Sequence, residues 1–254
     1  MKQATSSTFA APASGGSQTL LRGLDVIDAV REAPLTLAQL AARLGLNRST
    51  VHRLASALVH RGYLRLLPRG GYMLGPKLLE LGYAAGQQLD LPRVARAELE
   101  ALAEETGDTV HLGVLEQDRA LYLDKVPGRR RVEIGSRVGE RHPLLSTGLG
   151  KALLLDETPQ QWQARFPSAE AAAFPAWAAA MRRYAAGGYA LDLEENEDRI
   201  RCVAAPVRDA SGRIVAAISL SSAAQYMDDA RMAELSRRVP LTADAISRAL
   251  GWSG

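Results

Sequence analysis

The sequence TLAQLAARLGLNRSTVHRL, residues 36–54, decides the fold of the N-terminal half. Thr36 and Gln39 have the spacing of a capping box, in which a hydroxyl and an amide begin a helix together. Apolar residues then recur at helical spacing until Gly45, which supplies a turn. Asn47 is a candidate N-cap for a second helix. The stretch therefore predicts two short helices joined by a tight turn.

This helix pair lies inside a longer segment that has no carboxylate. Between Glu32 and Glu80 the sequence contains no Asp or Glu, but it contains seven cations: Arg43, Arg48, Arg53, Arg61, Arg65, Arg69 and Lys77. The whole chain carries a net charge of +3, so these seven charges leave −4 for the remaining residues. A segment that gathers positive charge and excludes negative charge is suited to a polyanion. Two helices with a tight turn fit the major groove of double-stranded DNA.

The outward face of the second helix supplies the candidate DNA contacts, although a solvated polar face is the alternative for that helix alone. This face carries Arg48, Ser49, Thr50, His52 and Arg53. Residues 63–67 and 72–74 are short β-like runs around a Pro-Arg-Gly-Gly turn, which predicts a hairpin carrying Arg65 and Arg69. We expect the helix arginines to face the groove and the hairpin arginines to contact the DNA backbone or the minor groove. Together these elements predict a winged helix-turn-helix.

Composition divides the chain into four expected segments. Residues 1–19 are rich in Ala, Ser, Thr and Gly and predict a disordered tail. Residues 20–76 are expected to form the DNA-binding domain, residues 77–91 a linker helix, and residues 92–254 an effector-binding domain. Hydrophobic content of 47% with one cysteine, and the lack of a secretory signal or an apolar membrane-spanning run, favour a cytoplasmic protein without membrane contact.

The C-terminal half mixes strand and helix patterns. Strands are expected at residues 109–115, 120–125, 132–134, 201–207 and 214–221. Helices are expected at residues 144–155, 160–165, 176–186 and 228–250. Strands joined by hairpins, with helices around them, predict an α+β fold with a central antiparallel sheet rather than a parallel doubly wound sheet.

Catalytic and metal-binding patterns are weak. Residues 146–151 lack the first glycine and the final Ser or Thr of a phosphate-binding loop, which leaves a site for a small anion or a plain close-packed turn. The acidic run at residues 192–198 suggests metal binding or acid-base chemistry, but a solvated segment is the usual alternative and no His lies near it. Cys202 lies in an apolar run and is typical of a core thiol. We therefore expect no cofactor and no metal.

Motifs in both halves resemble the IclR family of transcriptional regulators. The matching segments are residues 20–27, 36–45, 49–54, 61–64, 72–77, 110–113, 122–126, 148–152, 187–190 and 202–206. The resemblance implies a winged helix-turn-helix, a linker helix and a GAF-like effector-binding domain. It also implies a regulator rather than an enzyme, one that binds operator DNA as a homodimer or homotetramer. Repression is favoured over activation.

The resemblance further implies a pocket for a small organic acid in the C-terminal domain. Its lining, carried over position by position, is Ile134, His142, Gly148, Leu149, Asp192, Cys202, Ser219 and Ser221. Ser219 and Ser221 alternate with apolar residues, so both hydroxyls point to one face of a strand. Two positions depart from the family pattern: Arg199 stands where glycine is usual, and His142 stands where Leu or Met is common.

Two other functions remain compatible with the sequence. An enzyme with an accessory nucleic-acid domain would place its chemistry at Cys202 and the acidic run, and would need an accessible thiolate. A structural DNA-binding protein with a vestigial sensor would not respond to metabolites.

Overall fold

The computed structural model describes residues 18–68, 70–88 and 90–254. The chain divides into two compact units, and the first ends at Gln88. Residues 1–17 of the predicted tail lie outside the described residues. Residues 18 and 19, also predicted to belong to the tail, are part of the first helix. Among the described residues, no helix is both long and apolar enough to cross a membrane.

Within the described residues, the N-terminal unit contains four helices and a three-stranded antiparallel sheet. These elements are α1 (Gln18–Ala29), β1 (Leu35–Thr36), α2 (Leu37–Leu44), α3 (Arg48–His60), β2 (Leu64–Leu66), β3 (Gly71–Leu74) and α4 (Pro76–Gln88). The strand order is β1-β3-β2. The hairpin of β2 and β3 is the predicted wing, whereas β1 was not predicted. The core packs Val26, Leu40, Val51, Leu54 and Leu64.

Local hydrogen bonds fix the two helices of the DNA-binding motif. Thr36 Oγ1 accepts from Gln39 N at 3.4 Å, and Gln39 Oε1 accepts from Thr36 N at 2.8 Å. Gly45 ends α2 with φ of +63°, a left-handed conformation that glycine adopts without steric penalty. Asn47 Oδ1 accepts from Thr50 N at 2.8 Å and begins α3. The predicted helix-turn-helix is confirmed.

The C-terminal unit is built on one six-stranded antiparallel sheet of order β6-β5-β4-β9-β8-β7. Its strands are β4 (Thr109–Glu116), β5 (Arg119–Val126), β6 (Arg141–His142), β7 (Ala190–Leu193), β8 (Ile200–Arg208) and β9 (Ile214–Ala223). Its helices are α5 (Leu91–Thr106), α6 (Gly148–Leu153), α7 (Pro159–Arg165), α8 (Phe174–Gly187) and α9 (Asp229–Ala249), with 3₁₀ turns at Ser168–Ala173 and Ala224–Tyr226. The predicted α+β class and antiparallel sheet are confirmed.

The two faces of this sheet carry different side chains because neighbours along a strand point to opposite sides. One face is apolar and packs Val110, Val203 and Leu220 in a core that includes Leu99 of α5 and Val239 of α9. The other face packs a second core with α6 and α8, and it also carries the polar residues discussed below. The fold therefore places the candidate pocket on one defined face of the sheet.

The prediction of a strand at residues 132–134 is wrong. The Lys125 ammonium donates to the carbonyl oxygens of Ile134 at 2.6 Å and Ser136 at 2.7 Å. These carbonyl groups are therefore bonded by a side chain rather than by the backbone of a neighbouring strand. The edge position beside β5 belongs to β6 instead. The predicted helix at 144–155 is shorter because Thr147 caps α6, with Thr147 Oγ1 accepting from Gly150 N at 3.0 Å.

Gly75 provides a test of the wing's packing. A Cβ built on Gly75 would lie 2.2 Å from the carbonyl oxygen of Gly62, a distance that real Cβ atoms do not reach. We expect Gly75→Ala to lower the free energy of unfolding of the N-terminal unit by roughly 1–3 kcal/mol, as overpacking does. Hydrogen exchange of peptides from residues 18–68 in the full-length chain measures this change.

The matched control is Gly82→Ala in α4, where an added Cβ meets nothing within 4 Å. This change should stabilise the helix by roughly 0.5–1 kcal/mol because alanine has the higher helix propensity. Equal effects of the two substitutions would contradict the packing described for Gly75.

Candidate functional site

In the N-terminal unit, α3 presents a polar face away from the core. Its exposed predicted contacts are Arg48, Ser49, His52 and Arg53, and Thr50 is half-buried. Val51 and Leu54 on the opposite side are buried in the core. This division follows from the helical period of 3.6 residues. The structure thus leaves the predicted α3 residues at the surface, on a helix whose position is fixed by its own core.

The arginines of this face are not neutralised by internal ion pairs. Among the residues that the structure describes, Arg48, Arg53 and Arg65 are exposed and have no salt-bridge partner. Lys77, at the border of the carboxylate-free segment, does pair with Glu80 at 2.6 Å. An unpaired guanidinium keeps its donors available for guanine edges and phosphates. Arg69, the second predicted wing contact, lies outside the described residues.

Ser49 differs from the other predicted DNA contacts. Its hydroxyl donates to Asn47 Oδ1 at 2.9 Å, the same oxygen that accepts from Thr50 N. The Ser49 hydroxyl is therefore part of the helix cap in this structure. Its oxygen still has lone pairs, so the residue can accept a hydrogen bond from a ligand without leaving the cap.

In the C-terminal unit, the sheet register brings four predicted pocket residues to one face. Asp192 pairs with Cys202, and Cys202 pairs with Ser221. Ser219 lies opposite His111 on β4. The Cys202 Sγ atom is 3.0 Å from Ser221 Oγ and 4.0 Å from Asp192 Oδ2. We call Asp192, Cys202, Ser219, Ser221 and His111 the polar sheet face.

The first turn of α6 closes over the polar sheet face. A Cβ built on Gly148 would lie 3.2 Å from the Cβ atom of Cys202 and 3.5 Å from the backbone nitrogen of Asp192. Leu149 is 1% exposed and contacts the backbone at Gly113. Both residues therefore lie next to the sheet that carries the polar sheet face.

A stack of rings extends the polar sheet face toward the edge strand. The rings of His111 and Tyr122 are 4.9 Å apart, and those of Tyr122 and His142 are 4.3 Å apart. His111 Nε2 is 2.7 Å from Ser136 Oγ, and His111 Nδ1 is 3.5 Å from Ser219 Oγ. His142 Nε2 lies 3.4 Å from Glu140 Oε2 but makes no hydrogen bond. His142 thus joins the site through ring contact.

His111 and Tyr122 were not among the predicted pocket residues. The alternation of polar and apolar residues along β4 is visible in the sequence, but the partner strand of His111 is not. Ile134, which was predicted, is buried, and its carbonyl oxygen is held by Lys125.

Burial keeps the thiol and the imidazole of the polar sheet face uncharged at neutral pH. Burial, together with the charge of Asp192, raises the pKa of the Cys202 thiol to about 12. Burial, and to a smaller extent the neighbouring Lys125 ammonium, lower the pKa of His111 to about 3. Burial also raises the pKa of Asp192, although backbone N–H groups of Glu195 and Asn196 and the Lys151 ammonium oppose that shift. A neutral thiol and a neutral imidazole do not form the thiolate–imidazolium pair of a cysteine nucleophile.

The acidic run is a loop held by ion pairs. The buried Lys151 ammonium binds Glu195 Oε1 at 2.7 Å, and Arg201 binds Glu194 Oε1 at 2.9 Å. Arg199 has φ of +64°, a left-handed conformation that glycine favours and that an arginine rarely adopts. No group of three or more metal-binding side chains is found in the described part of the chain.

Two cavities lie in the C-terminal unit. One, of about 250 Å³, is lined in part by Ile134 and Ser221 and so touches two of the eight predicted pocket residues. The other is an open cleft of about 1030 Å³ beside α7 and Trp177, and none of the eight lines it. The larger cleft therefore does not coincide with the polar sheet face.

Both units match known protein families. The family described as "IclR helix-turn-helix domain" matches residues 19–68. The family described as "Bacterial transcriptional regulator IclR C-terminal" matches residues 83–248. The two matches cover the DNA-binding motif and the six-stranded sheet, respectively.

Whole proteins and solved structures agree with these matches. The transcriptional regulator XynR of Escherichia coli is 35% identical over 246 residues, which are 92% of this chain and 98% of XynR. The DNA-binding transcriptional repressor YiaJ of Escherichia coli is 31% identical, over 94% of this chain and 89% of YiaJ. The crystal structure of HmgR from Pseudomonas aeruginosa has a TM-score of 0.80 at 25% identity, covering 94% of this chain and 100% of HmgR.

These matches fit the exposed α3 face and the absence of an activated thiol at Cys202. The chain belongs to the IclR family of bacterial transcriptional regulators, and it is a DNA-binding regulator rather than an enzyme.

Proposed function

We propose that this protein is a cytoplasmic transcriptional repressor that binds operator DNA as a homodimer or homotetramer. A small organic acid bound in the C-terminal domain changes its operator affinity. The observation that carries the proposal is the exposed face of α3, whose arginines have no carboxylate partner among the described residues. Similarity to YiaJ, which is named a repressor, favours repression over activation.

In this proposal α3 is the recognition helix. Arg48 and Arg53 reach base edges in the major groove, and Thr50 and His52 add polar contacts. Arg65 and Arg69 on the wing hold the DNA backbone or the minor groove. A two-fold dimer of such units reads two half-sites of a palindromic or pseudo-palindromic operator.

The effector pocket is the polar sheet face together with Ile134, His142, Gly148 and Leu149. Because Gly148 packs against Cys202, effector binding requires the first turn of α6 to move. This requirement gives the ligand a preference for one arrangement of the domain, and such a preference is necessary for any switch. The rearrangement alters the spacing of the two recognition helices in the dimer and hence the operator affinity.

Arg53 tests the recognition helix. Arg53→Ala should weaken specific operator binding by roughly 5- to 150-fold, which corresponds to about 1–3 kcal/mol for a bidentate base contact. The melting temperature should hardly change because Arg53 is exposed and has no internal salt bridge among the described residues. Gel shifts with the DNA upstream of its own gene, together with thermal unfolding, measure both quantities.

The control is Arg93→Ala, which removes the same charge from an exposed position on α5. The operator affinity of this variant should stay within about twofold of wild type, because one surface charge outside the recognition helix adds only a weak attraction that salt screens. Wild-type operator affinity in Arg53→Ala would disprove the assignment of α3.

Ser219 and Ser221 test the effector pocket. A thermal-shift screen of small organic acids should identify at least one acid that raises the melting temperature and changes operator affinity. The double variant Ser219→Ala, Ser221→Ala should lose this response while it retains DNA binding, because both hydroxyls lie on the C-terminal sheet. Ser211→Ala, in the exposed turn before β9, is the control and should respond as wild type does.

An unchanged dose response in the double variant would reject this pocket. The lack of any response in wild type would instead favour a sensor domain that no longer binds a ligand.

Cys202 tests whether the site is chemically reactive. Because burial raises the pKa of the thiol to about 12, it stays protonated from pH 7 to 9 in the folded protein. An unfolded cysteine with a pKa of about 8.5 ionises across this range. We expect iodoacetamide to label native protein slowly at both pH values and urea-unfolded protein rapidly at pH 9. Fast labelling of native protein would contradict the buried, neutral thiol.

A further inference from the structure

The cavity of about 250 Å³ has a lining that differs from the polar sheet face. It lies where the loop after β5 approaches the start of β4 and the end of β9. Its lining residues are Thr109, Lys125, Pro127, Gly128, Arg130, Arg131, Val132, Glu133, Ile134, Ser221 and Ser222. Three of these side chains are cations and one is a carboxylate, so the lining carries an excess of positive charge.

Two of the cations are held in place by the protein. The Lys125 ammonium donates to the carbonyl oxygens of Ile134 and Ser136, which leaves one of its three N–H groups free. Arg130 Nε donates to Asp108 Oδ1 at 3.0 Å, and its guanidinium lies 4.8 Å from the centre of the Tyr226 ring. Ordered cations of this kind bind an anion without the entropy loss of ordering a long side chain.

The buried carboxylate beneath the cavity does not cancel this charge. Asp108 is 0% exposed, and Arg231 Nη2 also donates to it, at 2.7 Å. One carboxylate therefore faces two guanidinium groups, Arg130 and Arg231. A positive charge remains after Asp108 is satisfied.

Two lining groups lack partners. Arg131 is exposed and has no salt bridge among the described residues. Ser222 is only 2% exposed, and within the same residues its hydroxyl makes no hydrogen bond. The Ser222 oxygen is not one of the buried polar atoms that lack a partner, so it is reached by solvent and is available to hydrogen-bond a ligand.

We propose that this cavity binds the oxyanion group, carboxylate or phosphate, of a small aliphatic metabolite. Arg131 holds the anion through two N–H groups, the free N–H of Lys125 adds a third, and the Ser222 hydroxyl donates a fourth. No aromatic side chain lines the cavity, so an aromatic ring would lack a flat apolar surface. The volume is below the roughly 300–1,000 Å³ of sites for drug-sized ligands, which suits a small anion.

This site shares Ser221 and Ile134 with the proposed effector pocket, but it does not require that pocket to be correct. Its binding groups are Arg131, Lys125 and Ser222, and none of these belongs to the polar sheet face. Ser219, which belongs to that face, does not line the cavity. The two sites can therefore be separated by substitution.

The test is calorimetric titration of the full-length chain with inorganic phosphate and, separately, with glycerate, at constant ionic strength. We expect at least one of these anions to bind wild type. Arg131→Ala should weaken that binding at least tenfold, and Ser222→Ala should weaken it several-fold. Binding of phosphate alone or of glycerate alone identifies which oxyanion the cavity selects.

The matched control is Arg129→Ala on the same loop. Arg129 donates to the carbonyl oxygen of Glu104 at 2.8 Å and does not line the cavity, yet its removal changes the net charge by the same amount. We expect its affinity for the anion to stay within about twofold of wild type, and Ser219→Ala should likewise bind as wild type does.

Three results would overturn the inference: no binding of either anion to wild type, equal weakening in Arg129→Ala and Arg131→Ala, or loss of binding in Ser219→Ala. Failure of the proposed effector pocket looks different. In that case organic acids leave operator affinity unchanged, while the Arg131-dependent binding of phosphate or glycerate persists.

Discussion

The exclusion of carboxylates from residues 33–79 is the constraint on which the rest of the N-terminal unit depends. In the C-terminal unit, arginines such as Arg165 and Arg208 are held by nearby carboxylates. Within the carboxylate-free segment no such partner is present, so the arginines that the structure describes there stay exposed, and the unit is held together by its apolar core and its helix caps. The mutual repulsion of these cations is relieved when phosphates approach, which favours the DNA-bound state.

The N-terminal motif could be read from the sequence because its determinants are local. The Thr36–Gln39 capping box, the left-handed turn at Gly45 and the Asn47 cap each involve residues at most four positions apart. The error at residues 132–134 has the opposite origin, since the Lys125 ammonium that binds this segment lies 9 and 11 positions away. The strands β1 and β6 were not predicted because two residues are too few to show an alternation of apolar and polar side chains.

The same distinction applies to the candidate site. The alternation of Ser219 and Ser221 predicts a shared face, but the neighbours of that face come from distant parts of the chain. His111 meets Ser219 across 108 positions, and no single-sequence pattern reveals such a pairing. The resemblance supplied Asp192 and Cys202 as predictions, whereas the position of His111 and Tyr122 on the same face became visible only with the strand register.

The polar sheet face lacks a free positive charge for binding an acid, and the cavity beside it contains such charges. The face offers hydroxyls and a neutral thiol, but its nearest cation, Lys151, is already bound to Glu195 and opposes the charge of Asp192. An anion placed there alone would lie near a carboxylate with no free cation to offset it. The cavity supplies the missing positive charge through Arg131 and Lys125. Because Ser221 borders both and Asp192 does not line the cavity, an acid bound as we propose would keep its oxyanion out of contact with Asp192.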